Sequence, residues 1–359
     1  MVIIPIFSPE GSKKKPQVVL FFRYSSQADH LAHLYEHLLD KEFNKIKGIK
    51  VVYAGVGSGF IKIHLQGDLL LEQVIKILSL EEVRPQDLNR ERKRIVLETL
   101  TKLKERRWVV HQLIQYQKQN IFELKSFLKN FLGEKIKKEE IFRNLKLTHA
   151  IFVDPQLPIP RIKREIISFS NHFSGVISQP KSISLPERFF LGKDFIYIFY
   201  SIALPIKDII EAYKAVFLSR VLFVEIEKSL RERGIIYSGR LEMTRDFSPK
   251  IFITFIFPLL AEDKEKGLKT IKQIITSPLK EKDFFQIVKE KLLKEVERKI
   301  GDPLKEAEDL IKQEIEWGTS HPFSMKEKIE MIKKINFNNF CAWWEKKKDE
   351  CEHYCWGIE

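Results

Sequence analysis

Gly48-Ile49-Lys50-Val51-Val52-Tyr53-Ala54-Gly55 is echoed later in the chain by Gly234-Ile235-Ile236-Tyr237-Ser238-Gly239. Tyr53 and Tyr237 are 184 residues apart, and so are Gly55 and Gly239. What surrounds the two stretches also repeats. The first is preceded by a β-branched and aromatic run (Val18–Tyr24) and an apolar stripe of helical period (Asp29–Phe43), and is followed by an alternating run (Phe60–Gln66). The second is preceded by Phe195–Ala203 and Asp208–Arg231 and followed by Ile251–Phe257, with the same change of period. A duplicated domain of about 180 residues explains this order.

Further strands are expected at Val2–Phe7, Lys50–Ala54, Ala150–Val153 and Ile235–Leu241. Helices are expected at Leu69–Leu80, Pro85–Lys118 and Glu262–Thr276. Residues Glu281–Lys334 read as helical, broken near Gly301–Pro303 and Gly318–Pro322. Tight strand-to-strand links with helices in blocks indicate an α+β fold: two homologous domains, each a mainly antiparallel sheet covered by helices. The expected division is 1–175 for the first domain, 176–190 for a polar, Pro-containing linker and 191–359 for the second.

The first helix carries Leu31-Ala32-His33-Leu34-Tyr35-Glu36-His37-Leu38-Leu39, an H-x-x-E-H pattern. His33 and His37 are four apart, so both imidazoles leave one helix face a turn apart and can grip one metal ion. Glu36 lies near the same face, where its carboxylate can reach a metal-bound water without being a ligand. This is the inverted order of the H-E-x-x-H zinc-protease pattern. Zinc brings the pKa of its bound water to about 7, and an adjacent carboxylate can take the proton as attack on a carbonyl begins. Taken as composition alone, the pattern is equally a surface helix with two His and a Glu facing water. After Pro85, Glu91 and Glu98 are seven apart, two turns along one helix face; their plainer role is pairing with the surrounding Arg and Lys.

These segments resemble the inverzincin metallopeptidases, the family of pitrilysin, insulin-degrading enzyme and the mitochondrial processing peptidases. Members carry A-H-x-x-E-H with a following hydrophobic pair, then E-x6-E on a later helix. The resemblance implies that His33, His37 and Glu98 are the ligands of a Zn2+ ion, that Glu36 is the general base and that Glu91 is the supporting second acid. Members also carry a motif near L-R-E-x-x-G-L-x-Y-S whose Arg and Tyr reach substrate. Leu230-Arg231-Glu232-Arg233-Gly234-Ile235-Ile236-Tyr237-Ser238 is similar. Tyr237 matches, and Arg231 matches with one residue deleted. The same stretch also reads as a helix C-cap at Gly234 followed by a core strand. The family's substrate-pairing strand corresponds to Tyr53, Ala54 and Gly55. The chain departs from the pattern in its 61-residue interval from His37 to Glu98 and in having Lys41-Glu42-Phe43-Asn44 where the family has G-T.

The likeness covers nearly the whole chain, down to a last strand at Tyr354-Cys355-Trp356-Gly357. It implies a zinc-dependent endopeptidase acting on short or unfolded peptides. Members enclose substrate among four such domains. A chain of 359 residues holds two, so the expected partner is a second copy or a homologous chain. The alternative is an inactive paralogue that binds peptides or serves as a structural subunit.

Composition bounds the other classes. There are 62 Lys and Arg against 49 Asp and Glu, a net charge of +13, which allows nucleic acid, an anionic membrane or acidic substrates. The basic runs are short, however, and elsewhere Lys and Glu interleave at helical spacing, so no nucleic-acid partner is expected. The expected use of the charge is a chamber lining that favours acidic peptides. The longest uncharged apolar stretches, Phe195–Ile206 and Ile251–Ala261, fall short of the roughly 20 residues a spanning helix needs. Cys341, Cys351 and Cys355 make an odd count, all near the end of the chain, with no disulfide framework. A cytoplasmic protein without membrane contact is the expectation.

Overall fold

The computed structural model describes residues 1–7, 15–25, 28–57, 59–67, 71–104, 112–113, 115–116, 118, 121–155, 158–173, 175, 195–245, 250–317 and 321–358. They fall into two compact units. One is built from 1–104, 112–175 and 302–317, the other from 195–301 and 321–358. Segment 176–190, expected as the linker, lies outside the described residues.

The first unit has a five-stranded sheet of β1 (Val2–Ile6), β2 (Gln17–Tyr24), β3 (Ile49–Gly57), β4 (Phe60–Gly67) and β5 (Leu145–Val153), in the order β1-β5-β2-β4-β3. All pairings are antiparallel except β1 on β5. β2 is central and covered on both faces, which is why its sequence is a continuous apolar run rather than an alternating one. Phe22 points to one face and meets Tyr35 of helix α1 (Asp29–Phe43) edge to face at 5.3 Å. Val19 and Phe21 point to the other and pack with Ile151, Ala307, Ile311 and Ile315.

The last three belong to α10 (Pro303–Trp317), so this helix closes the first unit although it lies in the chain between segments of the second. Polar contacts pin it to the sheet. Glu308 Oε2 lies 2.6 Å from Lys62 Nζ on β4, and Glu314 Oε2 lies 3.2 Å from His149 Nε2 on β5.

Helix α1 keeps the bounds its sequence indicates. Leu31, Leu34, Tyr35, Leu38 and Leu39 form its buried stripe, and the Tyr35 hydroxyl donates to the Leu78 carbonyl of α2 (Leu71–Leu78) at 2.8 Å. After α2 comes α3 (Pro85–Lys104); the helix expected over Pro85–Lys118 thus ends earlier, and 105–111 lie outside the described residues. Helices α4 (Ile121–Gly133), α5 (Lys138–Asn144) and α6 (Ile159–Ser170) complete the unit.

The second unit repeats the plan. β6 (Phe195–Pro205), α7 (Ile209–Glu232), β7 (Arg240–Arg245), β8 (Lys250–Leu260), α8 (Lys264–Thr276) and α9 (Lys282–Glu297) follow in sequence. After α10, α11 (Met325–Lys334), α12 (Phe337–Lys347) and β9 (Glu352–Ile358) finish the chain. The sheet order β7-β8-β6-β9 is the first sheet's β3-β4-β2-β5 over again, as a duplication requires. The fold is α+β, with one mixed and one antiparallel sheet.

One expected strand is corrected. Ile235–Leu241 does not pair along its length, and β7 begins only at Arg240, opposite Ile256. Gly234 adopts φ +68° and caps α7, with its N–H on the Arg231 carbonyl (2.9 Å) and that of Ile235 on Leu230 (3.0 Å). The Gly239 N–H is then taken by Glu227 Oε1 of α7 at 3.1 Å. With helix groups holding both ends, no ladder forms between them. Among the described residues no helix is long and apolar enough to cross a membrane.

Candidate metal centre

The candidate ligands sit where α1 packs along α3. The buried stripe of α1 faces the sheet, so positions 33, 36 and 37 fall toward α3. Lys41 Nζ, in the last turn of α1, donates to Asp87 Oδ1 in the first turn of α3 at 2.7 Å and fixes the pair of helices. That bond, with help from Arg84, holds the Asp87 carboxyl well below the usual carboxylate range.

His33, Glu36 and His37 offer ligating atoms that all lie within 4.8 Å of one another. Glu36 Oε2 is 3.8 Å from His33 Nε2 and 3.9 Å from His37 Nε2, and the two rings stand edge to face at 4.8 Å. From α3, Glu98 brings Oε2 to 3.5 Å from His37 Nε2, while its Oε1 takes Lys102. One turn-pair earlier, Glu91 is fully buried. Its Oε2 lies 3.8 Å from His37 Nδ1 and accepts from Arg94 at 3.0 Å. The structure therefore brings His33, Glu36, His37, Glu91 and Glu98 together.

Burial governs the charges. It lowers His33 to about 4, so this imidazole is neutral, the form a metal ligand needs. It raises the Glu36 carboxyl to about 7, with His37 opposing and Asp40 and Glu98 adding to the rise. Burial also lowers His37, but Glu98, Glu36 and Glu91 outweigh it and leave the ring above its ordinary value. Glu98 falls to about 2, chiefly through its hydrogen bond to His37 and then Lys102.

These residues fit a divalent metal. Two zinc ligands about 2.05 Å from the ion at a tetrahedral angle stand about 3.3 Å apart. The 3.5 Å between His37 Nε2 and Glu98 Oε2 matches that separation. His33 Nδ1 is buried without a hydrogen-bond partner, an unmet polar demand within the site, and buried Glu91 Oε1 has only an ionic contact with Arg90 Nε at 3.5 Å. A two-imidazole, one-carboxylate set suits zinc. Glu91 beside His37 Nδ1 is the kind of outer carboxylate that orients a ligating ring.

Tyr53, Ala54 and Gly55 lie on β3, the edge strand of the same sheet. Tyr53 is half exposed, with Lys62 Nζ 5.3 Å from its ring centre, and a Cβ on Gly55 would collide with the Tyr53 hydroxyl at 2.5 Å. Arg231 and Tyr237 belong to the second unit: Arg231 in the last turn of α7, Tyr237 beyond the cap and 87% exposed. Sequence reasoning missed the Lys41–Asp87 clasp and the buried Asp29 and Tyr24. The one local signal was an acidic residue opening α1.

No protein-family model and no curated protein sequence matches the chain. Solved structures do. An M16-like peptidase from Alicyclobacillus acidocaldarius superposes with a TM-score of 0.60 at 12% identity, over 98% of this chain and 94% of that one. A peptidase M16 inactive domain from Pseudomonas fluorescens gives 0.61 at 13%, over 99% and 95%. Pitrilysin gives 0.65 at 10%, over 99% of this chain but 42% of its own. The fold is that of the M16-type, pitrilysin-like peptidases, and the chain spans less than half the length of pitrilysin itself.

Proposed function

We propose that this chain is a zinc-dependent peptidase whose centre is built by α1 and α3 of the first unit. The observation that carries the reading is that His33 and His37 flank the Glu36 carboxylate, with Glu98 of α3 3.5 Å from His37 Nε2. His33, His37 and Glu98 would hold the ion. Bound there, zinc would polarise a peptide carbonyl and acidify a water molecule. Glu36, with its Oε2 close to both imidazoles, is placed to take a proton from that water and to return it to the leaving amine. Glu91 holds the His37 ring through its Nδ1 side.

β3 offers an open edge to which an extended peptide could add as a further strand, with Tyr53, Ala54 and Gly55 at the point of contact. Tyr237 and Arg231 are assigned to substrate, steadying the carbonyl oxygen as charge develops on it. A second copy or a homologous chain would supply the remaining two units of a chamber, whose basic lining would favour acidic peptides.

The experiment is hydrolysis of a mixed quenched-peptide library by zinc-loaded wild type and Glu36→Gln. Wild type should cleave and the variant should fall about a thousandfold. Equal cleavage by both would refute Glu36 as base. The second reading, a non-catalytic peptide-binding subunit, draws on the likeness to an inactive M16 domain. Stoichiometric zinc with no cleavage of any peptide by wild type, alone or with a homologous chain, would favour it.

A further inference from the structure

Within the first unit, one buried polar chain joins the start of the metal-bearing helix to the end of the edge strand. Tyr24 closes β2, Asp29 opens α1 and Gly57 closes β3. The Tyr24 hydroxyl oxygen lies 2.7 Å from Asp29 Oδ1 and 2.6 Å from the Gly57 carbonyl oxygen. Asp29 Oδ2 accepts from Gln115 Nε2 at 3.1 Å, and Gln115 Oε1 accepts from Gln112 Nε2 at 3.2 Å. Tyr24, Asp29 and Gln112 are all buried.

Counting protons decides what this arrangement is. A phenol has one. If Asp29 were ionised, the Tyr24 proton could serve either Asp29 or Gly57, and the other oxygen would face the phenol oxygen at hydrogen-bond distance with nothing between them. Away from water, such a contact is costly. A proton on Asp29 Oδ1 removes the fault. The chain then runs in one direction, Gln112 to Gln115 to Asp29 to Tyr24 to the Gly57 carbonyl, each group donating to the next, so that the bonds reinforce one another. A backbone hydrogen bond from Gly59 also reaches the phenol and takes up its remaining acceptor capacity.

We propose that Asp29, a neutral carboxylic acid in mildly acidic solution, and Tyr24 are positioning residues that lock the Gly57 end of β3 to the first turn of α1, so that the substrate-pairing edge and the metal centre then keep one spacing. The consequence for peptides rests on the peptidase reading; the lock itself does not. The surroundings support a neutral Asp29. Burial raises its carboxyl to about 6, against the lowering by its bonds to Tyr24 and Gln115. No ion pair reaches it among the described residues. The other titratable group that feels its charge is the Tyr116 phenol, itself raised by burial and bonded to Thr99. Lys118, from the same segment as Gln115, sits over the Phe127 ring at 4.5 Å. As pH rises through 6 the extra proton leaves, and one of the two bonds to Tyr24 must give.

The test compares wild type, Tyr24→Phe and Asp29→Asn, all zinc-loaded, by hydrogen–deuterium exchange at β3. An Asn amide donates to Tyr24 and accepts from Gln115 at any pH, so it mimics the neutral acid. At pH 5.5, Tyr24→Phe should exchange the 55–57 amides about five- to tenfold faster than wild type, the worth of one buried hydrogen bond. Asp29→Asn should stay slow and should lose the extra loosening that wild type shows between pH 5 and 7. Wild-type exchange in Tyr24→Phe, or a wild-type pH profile in Asp29→Asn, would overturn the proposal.

In peptide cleavage, Tyr24→Phe should raise KM by a similar factor with kcat and zinc content unchanged. If wild type cleaves nothing, the peptidase reading falls while exchange still decides the lock. If either variant fails to fold, carbon-13 spectra of wild type decide. One aspartate carboxyl should still carry its proton at pH 5, and its absence would overturn the assignment.

Discussion

Helices α1 and α7 hold the same place in two copies of one topology, yet the seams they form carry opposite chemistry. α1 brings His33, Glu36 and His37 to its seam, whereas α7 brings Phe217. The helix opposite differs in step. His37 faces Glu91 and Glu98 of α3, whereas Phe217 is fully buried and stacks on Phe285 of α9 at 4.8 Å. The scaffold closes perfectly well on an apolar pair. The first unit instead places three carboxylates and two imidazoles there, pushes Glu36 up and His33 down, and leaves the buried His33 Nδ1 unbonded. Such a seam costs stability, and its chemistry accounts for what is obtained in return.

The sharpest way to break this comparison is to remove the apolar member. Phe217→Ala should destabilise the protein by about 3–5 kcal/mol in denaturant unfolding, transfer and cavity costs together. A loss under about 1 kcal/mol would mean that the second seam is not the closed core described.

Next in size is the pH dependence of the polar side. Asp29 binds its proton more tightly folded (about 6) than unfolded (3.8), so its contribution is fully present below 3.8 and fades as pH rises through 6. Across that window, wild type should lose roughly 3 kcal/mol relative to Asp29→Asn, from 1.36 kcal/mol per pKa unit. Parallel stability curves for the two proteins from pH 4 to 7 would contradict it.

The smallest effect concerns the outer carboxylate. Glu91→Gln keeps the shape but removes the charge beside His37 Nδ1, and should weaken zinc binding about 10- to 100-fold without changing its stoichiometry. Unchanged affinity would leave Glu91 as a partner of Arg90 and Arg94 only.

The two seams also show what could be seen in the sequence. α1 was legible to the residue because its apolar stripe and its H-x-x-E-H spacing are local. The duplication was legible because strand and helix periods repeat in order. Glu91 and Glu98 were legible as one helix face, but their meeting with His37 depends on how α3 packs, which no local period encodes. α10 has a clear stripe in Ala307, Ile311 and Ile315, yet nothing in it says that the stripe covers β2 some 290 residues earlier. The Ile235–Leu241 run read as a strand from its β-branched residues. Glu227 and the Gly234 cap, drawing on groups of α7, delay pairing until Arg240. Likewise, the Asp29–Tyr24–Gly57 chain joins three element ends that only the tertiary fold brings together.

The central claim is that the α1–α3 seam is a zinc centre where its copy is a hydrophobic core. Titration calorimetry with zinc at neutral pH on wild type and on His37→Phe, which puts on α1 the kind of apolar ring that α7 brings to its own seam, tests it most directly. We expect one zinc per chain for wild type. The variant should stay folded but bind about a thousandfold more weakly, the loss of about 4 kcal/mol that goes with one of three ligands. Zinc bound as tightly by His37→Phe, or no zinc bound by wild type, would contradict the account.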